Sequence, residues 1–582
     1  MSEQRNLLLA MVLVLIVLLV FDYLRPKPPA TEPRTAEQTT GEQTAGEQDG
    51  SADITTPQSR DGSQAIPGNA GQALLERNEA LRSEERILIE TPRLEGSMTL
   101  RGGVIDDLTL RDYFNAAGKQ GGNVTLLHPR RTDDAYFAIF GWSGTRDTGQ
   151  ALPDDATLWQ TDDRVLSPGS PVTLTWDNGA GLVFERRVEV DRDFMFTVTQ
   201  TVRNAGDVPV RVAPYALISR RGTPETQGFF ILHEGPLGVF DNRLEEVDYD
   251  DLRDDGALAR DSVGGWLGIT DKYWLTAIVP EQDVPFDGSF RFASSGGAPR
   301  YQADYLETAK IVPAGDTQSV TVRLFAGAKE VDVIERYESA FGITLFNRAV
   351  DWGWFLFLTK PIFYALDWFN GLAGNFGVAI LLLTVVVKAI FFPLANKQYV
   401  SMSRMKLVQP KVKRLQQRYK DDKTRLQQEM MELYKKEKIN PLSGCLPILI
   451  QIPVFFALYK VLFVTIEMRH QPGLFWIDDL SAPDPYLLTN LFGLLPFDPP
   501  GFLAVGLWPA IMAVAMFLQM RLNPSAGDPI QQRVLMLMPF IFMFILATFP
   551  AGLVIYWTWN TILSGLQQWV IMRRQGVPVT ES

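Results

Sequence analysis

The sequence lacks most of the residue patterns that carry enzyme chemistry. Among its 582 residues the only cysteine is Cys445, so neither an intrachain disulfide nor a cysteine metal cluster can form. The three histidines, His128, His233 and His470, lie far apart in the sequence, and none belongs to an H-E-x-x-H motif. A Gly-rich phosphate loop and a G-x-S-x-G motif are also missing. We therefore expect no enzymatic activity, no cofactor and no metal.

Basic residues are outnumbered, and they are distributed unevenly. The chain has 55 Lys and Arg against 67 Asp and Glu, a net charge of −12, which argues against a general binder of DNA or RNA. Residues 396–440 contain 13 Lys and Arg against five Asp and Glu, whereas no Lys or Arg occurs between Arg469 and Arg521. Such an imbalance is typical of a polytopic membrane protein whose basic loops remain in the cytoplasm.

The N-terminal part of the chain changes abruptly from apolar to polar. Residues 7–21 form an uninterrupted apolar run, which predicts a signal-anchor transmembrane helix over residues 1–24. A cleavable signal peptide is the alternative, but the run is long for one and no A-x-A-like cleavage site follows. Residues 25–80 are rich in small and polar residues and almost lack aromatics, which predicts a disordered linker.

Residues 84–342 consist of short runs that alternate between apolar and polar residues. Examples are PVTLTWDNGAGLVFERRVEV and QSVTVRLFAG, and turn sequences such as N-A-G-D separate the runs. A period of two with this punctuation predicts a large antiparallel β-sandwich, with a short terminal helix at 331–342. Sandwiches of this size often bind carbohydrate, a third hypothesis for which the sequence offers no site.

Beyond residue 345 the sequence is that of an α-helical membrane protein. Residues 346–370 mix tryptophans with charges and predict an interfacial amphipathic helix. Spans of about 20 residues are predicted at 373–394, 445–465, 503–521, 532–549 and 551–571. With the anchor, the fold class is a polytopic six-span protein carrying a large β-sandwich. The charges place both termini, the 396–440 segment, the 522–531 loop and the 572–582 tail in the cytoplasm, and the β domain and the 466–502 loop outside.

The basic segment 396–440 has an apolar repeat of its own. Met405, Val408 and Val412 recur at intervals of three and four, as do Leu426, Met430 and Leu433 further on. This pattern predicts an antiparallel helical hairpin with basic outer faces. Anionic lipid alone could account for such a charge. The candidate recruitment residues on this hairpin are Lys411, Lys413, Arg414, Arg418, Lys420, Lys423 and Arg425.

Lys388 is a cation inside the apolar stretch TVVVKAIFFPL, where it costs ~2.5–3.5 kcal/mol at the centre of a membrane helix. Thr384 and Lys388 are four residues apart and share one helix face. The alternative reading is a snorkelling lysine whose ammonium reaches the inner headgroups.

Two further spans offer polar faces. Gln451 interrupts ILIQIPVFF, and the last span carries Tyr556, Trp557, Asn560 and Ser564. These residues could simply hold the bundle together, at ~0.6 kcal/mol per interhelical hydrogen bond. We treat Lys388 as the single unpaired cation among these helices, with no acidic residue inside a span to neutralise it. A shared wet cavity is then favoured, in which a passing chain supplies the counter-charge and short hydrophilic segments cross the membrane.

The helical region resembles a known family. The motifs K-Q-Y-x-S-M, Q-P-K, D-D-K-x-R, Q-E-M-M-x-L-Y-K, N-P-L-x-G-C and F-P-x-G-L-V-x-Y, within residues 350–575, are similar to those of the YidC membrane protein insertases. Residues 1–345 resemble the Gram-negative branch more loosely. The resemblance implies a five-helix core with a hydrophilic groove, a periplasmic β-supersandwich, a location in the bacterial inner membrane, and no nucleotide or metal.

The resemblance also implies roles for individual residues. Lys388 falls on the groove position that is usually arginine in the family, Thr384 and Tyr556 fall on substrate-contact positions, and Trp557 replaces a tyrosine. The hairpin would recruit substrates or the ribosome. The protein would act alone on small membrane proteins and beside the secretion translocon and its accessory subunits on larger ones. The competing function is an ion-coupled small-solute transporter, which the absence of an internal repeat disfavours.

Overall fold

The computed structural model describes a β-rich domain followed by a bundle of apolar helices. The described residues are 74–144, 150–226, 232–295, 298–353, 355–419, 422–437, 446–492, 494–495, 497, 499–500, 503–522 and 529–576. The predicted anchor at 1–24 lies outside them, as do Lys420, most of the 522–531 loop and the end of the 572–582 tail.

Strands occupy the chain from residue 86 to residue 328. In chain order they are β1 (Arg86–Glu90), β2 (Leu94–Thr99), β3 (Val104–Ala116), β4 (Gln120–Leu127), β5 (Tyr136–Gly144), β6 (Val165–Leu166), β7 (Val172–Asp177), β8 (Leu182–Val190), β9 (Met195–Asn204), β10 (Val210–Arg221), β11 (Gly235–Phe240), β12 (Arg243–Glu246), β13 (Ala257–Val263), β14 (Gly265–Thr270), β15 (Trp274–Val279), β16 (Pro285–Ser295), β17 (Ala298–Glu307), β18 (Lys310–Val312) and β19 (Thr317–Ala328).

These strands form two sheets that pack face to face. One has 11 strands and runs β13-β16-β17-β10-β5-β3-β2-β1-β6, with β18 beside β10 and β4 beside β3. The other has 8 strands in the order β12-β11-β14-β15-β19-β9-β8-β7. Neighbouring strands are antiparallel except for the short β1–β6 pair, which is parallel. The β-sandwich expected from the alternating pattern is therefore the observed architecture of this domain.

The alternating pattern of β8 shows why the two sheets stack. Leu182, Phe184, Val188 and Val190 are buried, and the residues that alternate with these inward positions are at least partly exposed. A strand with this period offers one face to the facing sheet and the other to water. Arg186 occupies the remaining inward position, where its guanidinium donates to the carbonyls of Gly102, Gly103 and Phe140 and covers the ring of Trp159.

Three short helices accompany the strands of this domain. Helix α1 (Arg77–Arg82) precedes β1, α2 (Tyr249–Asp255) follows β12, and α3 (Val331–Phe341) follows β19. Because Ala80 is buried and Arg77 pairs with Asp107 of β3, the last residues of the predicted 25–80 linker belong to the folded domain. Compositional bias hides this boundary, because α1 is short and strongly polar.

The helical region begins with a 3₁₀ turn at Phe346–Ala349. Its helices are α4 (Leu356–Ala373), α5 (Phe376–Arg418), α6 (Lys423–Lys436), α7 (Leu446–Val464), α8 (Leu507–Leu522), α9 (Pro529–Ile545) and α10 (Ala551–Arg574). The interfacial helix predicted at 346–370 thus corresponds to α4, which begins later and ends later than expected. Within the described part of the chain, α5 is the one helix both long and apolar enough to cross a membrane, and shorter apolar helices lie at Gln451–Val464, Leu507–Leu522 and Met536–Thr548.

Helix α5 does not stop where the predicted span ends. It continues for 43 residues through Pro393 and Pro410, so the first arm of the basic segment 396–440 and the span 373–394 are one element. A proline removes one backbone hydrogen bond, and long helices with lateral packing tolerate that loss. The break expected at residue 395 is therefore absent.

Helix α6 folds back on the far end of α5. Asp422 caps α6 by accepting a hydrogen bond from the backbone N–H of Arg425 at 3.0 Å. Between the two helices Val408 and Val412 are buried, and the residues packed against them are Met405, Met430, Leu433 and Tyr434. The apolar residues that repeat at intervals of three and four in the sequence thus face each other across a helical hairpin.

Candidate functional site

The face of α5 that carries Lys388 begins at a capped N-terminus. Asn375 accepts a hydrogen bond from the backbone N–H of Val378 at 3.0 Å, and its amide donates to the carbonyl of Gly473 at 3.1 Å. This cap fixes where α5 starts and ties it to the loop after α7. Thr384 and Lys388 then follow on one side of the helix, since they are one turn apart.

Lys388 points toward α10 and is only half-buried. Its ammonium donates to the hydroxyl of Ser564 at 2.6 Å, and that hydroxyl donates to the carbonyl of Asn560 at 2.7 Å. Tyr399, further along α5, is another hydrogen-bond partner of Ser564. The ammonium therefore lies between two helices. None of the ion pairs formed by the described residues includes Lys388.

Gln451 and Tyr556 link α7 to α10. The amide of Gln451 donates to the hydroxyl of Tyr556, whose side chain is buried. The neighbouring Trp557 lies edge-on to Phe455 of α7, with ring centroids 4.6 Å apart, and also contacts Phe542 of α9 at 5.5 Å. These contacts hold three helices together, which is the bundle-stabilising role that the sequence leaves open for such residues.

Thr384 lies beside these residues but offers no free hydroxyl. Its side chain is buried, and its hydroxyl donates to the carbonyl of Ile380 on the same helix at 2.7 Å. Such a bond to the preceding turn satisfies the hydroxyl without any partner from another helix. The structure therefore brings Lys388, Asn560 and Ser564 together at one place and Gln451, Tyr556 and Trp557 at another, with Thr384 packed inside the bundle.

A second lysine lies within a predicted span, and this one has a counter-charge. Lys460 lies within the span predicted at 445–465, and its side chain is only 11% exposed. Its ammonium is 2.7 Å from a carboxylate oxygen of Asp351. That carboxylate also accepts hydrogen bonds from the backbone N–H groups of His233 at 3.2 Å and Gly353 at 3.1 Å. Lys460 is visible in the sequence, but its partner lies 109 residues upstream, beyond the reach of helical spacing.

The pair formed by Lys460 and Asp351 lies where the β domain meets the helices. Nearby, Arg469 donates to the carbonyl of Phe114 at 2.6 Å, and the ammonium of Lys272 lies 3.8 Å from the ring centroid of Phe463. Glu467 accepts a hydrogen bond from the backbone N–H of Val331 at 2.8 Å, and burial raises the pKa of this carboxyl to about 7. Polar contacts therefore attach the β domain to the segment that follows α7.

The β domain also contains an open cavity of about 700 Å³. Its lining includes two polar pairs: Arg220 lies 2.6 Å from Asp271, and the imidazole of His128 lies 2.8 Å from Asp134. The hydrogen bond from His128 lowers the pKa of Asp134 to about 2. Because the members of each pair already contact one another, the cavity does not by itself identify a carbohydrate site.

Comparisons with known proteins cover both halves of the chain. A family model described as the YidC periplasmic domain matches residues 86–365, and one described as the 60Kd inner membrane protein matches residues 368–577. The membrane protein insertase YidC of Methylorubrum extorquens (strain PA1) is 48% identical over 99% of this chain and 96% of its own length. The chain belongs to the YidC family of membrane protein insertases.

Other YidC proteins show the same likeness. The membrane protein insertase YidC of Rhizobium meliloti (strain 1021) is 48% identical and matches 100% of this chain and 97% of its own length. A solved structure described as an active YidC insertase with the first transmembrane domain resolved is 17% identical, covering 83% of this chain and 92% of that one, with a TM-score of 0.36. Like these YidC homologues, the chain is an inner membrane protein with a periplasmic domain.

The basic hairpin of this YidC chain presents its charges to solvent. Lys411 pairs with Glu437 at 2.7 Å, joining the two arms. The guanidinium groups of Arg418 and Arg425 each lie 5.7 Å from the ring centroid of Tyr419, at the tip of the hairpin. Lys413 and Arg414 are exposed, Lys423 begins α6, and Lys420 lies outside the described residues. The described part of the hairpin thus presents a cationic surface.

Proposed function

We propose that the chain inserts, folds and assembles integral membrane proteins, both alone and beside the secretion translocon. The observation that supports this most directly is the ammonium of Lys388, held between α5 and α10 by a hydroxyl. A hydroxyl accepts a hydrogen bond but brings no negative charge. The positive charge is therefore available to an acidic group on a substrate chain.

The attraction between Lys388 and an acidic group is similar in size to the cost of placing that group in the membrane. Two opposite charges 4 Å apart attract by about 4 kcal/mol at an effective dielectric constant of 20. Placing one aspartate at the centre of a membrane helix costs ~2.5–3.5 kcal/mol. The membrane potential adds ~2.3 kcal/mol per 100 mV for one negative charge that moves to the positive outside. One well-placed cation thus offsets the cost of carrying one acidic residue to the middle of the membrane.

The other site residues shape the surface that a substrate helix would meet. Asn560 is half-buried beside Ser564, and Trp557 is partly exposed beside Phe455. In this proposal Asn560 and Gln451 offer polar groups to hydrophilic segments, and Trp557 offers an aromatic face to apolar ones. Tyr556 holds Gln451 in place, and Thr384 keeps α5 packed so that Lys388 faces α10.

The proposed topology has six spans. The anchor at 1–24 is the first, and α5, α7, α8, α9 and α10 are the other five, with both termini in the cytoplasm. The strongly basic 396–440 segment and the absence of Lys and Arg between Arg469 and Arg521 support this orientation. The β domain would then lie in the periplasm, on the side where the segment after α7 contacts it.

The hairpin formed by the end of α5 and by α6 is the proposed recruitment surface. Its exposed Lys413, Arg414, Arg418 and Arg425 suit a polyanionic partner such as ribosomal RNA. Anionic lipid would meet the same charges. Replacing these four residues with glutamine should weaken ribosome co-sedimentation without changing insertion of a completed, purified substrate. Equal loss in both assays would argue for lipid contact alone.

The central test uses purified protein in vesicles and a single-span substrate with a short acidic tail. We expect Lys388→Arg to retain insertion and Lys388→Glu to abolish it, because the second change repels the tail. A matched substrate with a neutral tail should be inserted by both variants. Thermal unfolding of each variant in detergent controls for damage to the fold.

Insertion of the acidic substrate by the Lys388→Glu protein at the normal rate would overturn the charge-attraction mechanism. The same vesicles can be loaded with small solutes. Solute flux that depends on Lys388, without any insertion, would instead identify an ion-coupled transporter.

A further inference from the structure

The segment between α7 and α8 exposes large apolar side chains on the side of the β domain. Leu494 is 80% exposed, and the other strongly exposed residues of the same stretch are Tyr486, Leu491, Phe492, Leu495, Phe497 and Leu503. We call this group, all between residues 486 and 503, the apolar loop. Contiguous exposed apolar surface of this kind marks an interaction site.

The base of the apolar loop is built firmly. The backbone N–H of Leu488 donates to the carbonyl of Val505 at 2.9 Å, and that of Leu507 donates to the carbonyl of Tyr486 at 3.0 Å. A short two-stranded ribbon therefore leads out to the apolar residues and back to α8. Because both ends are paired, the exposed side chains are held away from the body of the protein.

Asp484 organises this base. Its carboxylate accepts hydrogen bonds from the indole N–H of Trp476 at 3.0 Å and from the backbone N–H groups of Tyr486 at 3.0 Å and Trp508 at 2.7 Å. A side chain at Gly506 would place its Cβ 2.5 Å from the Cβ of Asp484, so this close approach requires glycine. The rings of Trp476, Tyr486 and Trp508 then lie together, with centroids 5.7 to 5.8 Å apart.

The loop leaves the helical bundle next to the β domain. Just before it, the carbonyls of Leu480 and Ala482 accept hydrogen bonds from the first N–H groups of α10, at 3.0 and 2.7 Å. The contacts of Glu467 and Arg469 with the β domain come from the same segment. The apolar loop is therefore on the periplasmic side of the proposed topology, where α7 ends and α8 begins.

The chemistry of the loop fits the boundary between lipid headgroups and acyl chains. Trp and Tyr are enriched at that depth, and their cluster forms the base from which the leucines and phenylalanines project. Residues 470–520 contain no Lys or Arg, so anionic headgroups exert no attraction and the contact has to be apolar. Pro485, Pro499 and Pro500 carry no backbone N–H, which lowers the number of donors that lipid would leave unsatisfied.

We infer that the apolar loop inserts into the leaflet of the membrane on the β-domain side, beside α8. The outward faces of α8 continue the apolar surface, with Val514 and Leu518 exposed along the helix. A non-helical segment cannot cross the hydrocarbon, so the loop enters only to the depth of the headgroup boundary. The occupant of this surface is lipid, continuous with the lipid that surrounds the spans.

Because Cys445 is the only native cysteine, one substitution makes the protein ready for labelling at a chosen position. In a Cys445→Ser background, a cysteine replaces Leu494 or Phe497 and carries an environment-sensitive fluorophore. The matched control is Val208, an apolar residue 59% exposed in the turn between β9 and β10. The full chain is reconstituted in nanodiscs whose lipids carry a nitroxide quencher either near the headgroup or near the end of the acyl chain.

We expect a blue shift and several-fold stronger quenching at positions 494 and 497 than at 208, with the headgroup-proximal quencher more effective than the deep one. Quenching at 494 and 497 no greater than at 208 would overturn the inference. A blue shift without quenching would also overturn it, because a second protein copy or another partner would then cover the loop. If a labelled variant unfolds in thermal scans, Leu491 supplies a further position. Insertion activity is not measured, so this test stands apart from the Lys388 experiments.

Discussion

Lys388 and Lys460 both lie inside predicted membrane spans, and their surroundings differ. Lys460, at the end of α7 near the β domain, has a carboxylate 2.7 Å away, and that carboxylate is further held by two backbone N–H groups. Lys388, in the first third of α5, has a serine hydroxyl at 2.6 Å. The first charge is neutralised within the chain, and the second is only hydrogen-bonded.

Under the proposed function, Lys460 carries a structural charge and Lys388 the charge that acts on substrates. A buried pair contributes to the arrangement of the elements it joins, and breaking it leaves an uncompensated charge. A cation without a counter-charge is a cost to the folded protein, and such residues in membranes usually mark a working site. The two lysines therefore should respond to mutation in opposite ways, one in stability and the other in activity.

The largest expected effect comes from giving Lys388 a carboxylate partner of the kind that Lys460 has. Ser564→Asp places a carboxylate against the ammonium, which then has no charge left for a substrate. We expect insertion of acidic-tail substrates to fall tenfold or more, which corresponds to about 1.4 kcal/mol. The measurement is the initial rate of insertion into vesicles. Ser564→Asn, which is similar in size and neutral, is the matched control and should retain most of the rate.

Lys460→Met should act on stability. It leaves the carboxylate of Asp351 at a half-closed interface with only backbone donors, at a cost of about 2 kcal/mol. We expect a lower Tm in detergent and partial recovery in the double variant Lys460→Met/Asp351→Asn. Lys388→Met should leave the Tm unchanged or raise it. A similar loss of Tm from both single variants would remove the distinction between the two lysines.

The stability of the protein should also depend on pH, through Glu467 at the contact with the β domain. Burial raises the pKa of Glu467 from its ordinary 4.5 to about 7, so the folded protein holds a proton that the unfolded chain releases between these values. The stabilisation from the neutral form is complete below pH 4.5 and is lost as the pH rises through 7. We expect the Tm to fall over that window. Glu467→Gln should flatten this part of the Tm profile, and an unchanged profile in that variant would assign the titration to another group.

The smallest effect is expected from Ser564→Ala. It removes one hydrogen bond to Lys388, at about 1 kcal/mol, but leaves the charge in place. Insertion of acidic substrates should change by a few-fold at most, in contrast to Ser564→Asp. A loss as large as that of Ser564→Asp would mean that the position of the ammonium, and not its free charge, controls the reaction.

Local patterns in the sequence were sufficient to predict features that repeat along one helix or one strand. The alternation of Leu182, Phe184 and Val188 predicts the inward face of β8, and the spacing of Val408 and Val412 predicts the seam of the hairpin. The polar residues of the last span likewise predict that α10 has a polar side, where Ser564 meets Lys388. Each of these three predictions depends on residues that repeat within a single segment, with a period of two for a strand or 3.6 for a helix.

Features that join distant segments could not be found in this way. The partner of Lys460 is remote in sequence and belongs to a turn that spacing does not connect with α7. The hydroxyl of Thr384 donates to a backbone carbonyl within its own helix. The sequence does not show whether this hydroxyl bonds within the helix or to another helix, because side-chain packing decides it. The continuation of α5 through Pro393 depends on its lateral support, which a composition-based boundary ignores.

The uninterrupted course of α5 has a mechanical consequence. At ~1.5 Å per residue, its 43 residues span about 65 Å, and the same helix carries Lys388 in one part and the first arm of the hairpin in the other. A load placed on the hairpin arm would be passed along one backbone toward Lys388, and Pro393 is the position between them where the helix can bend. Docking of a cargo on the hairpin and movement of the ammonium would then be coupled through one continuous helix.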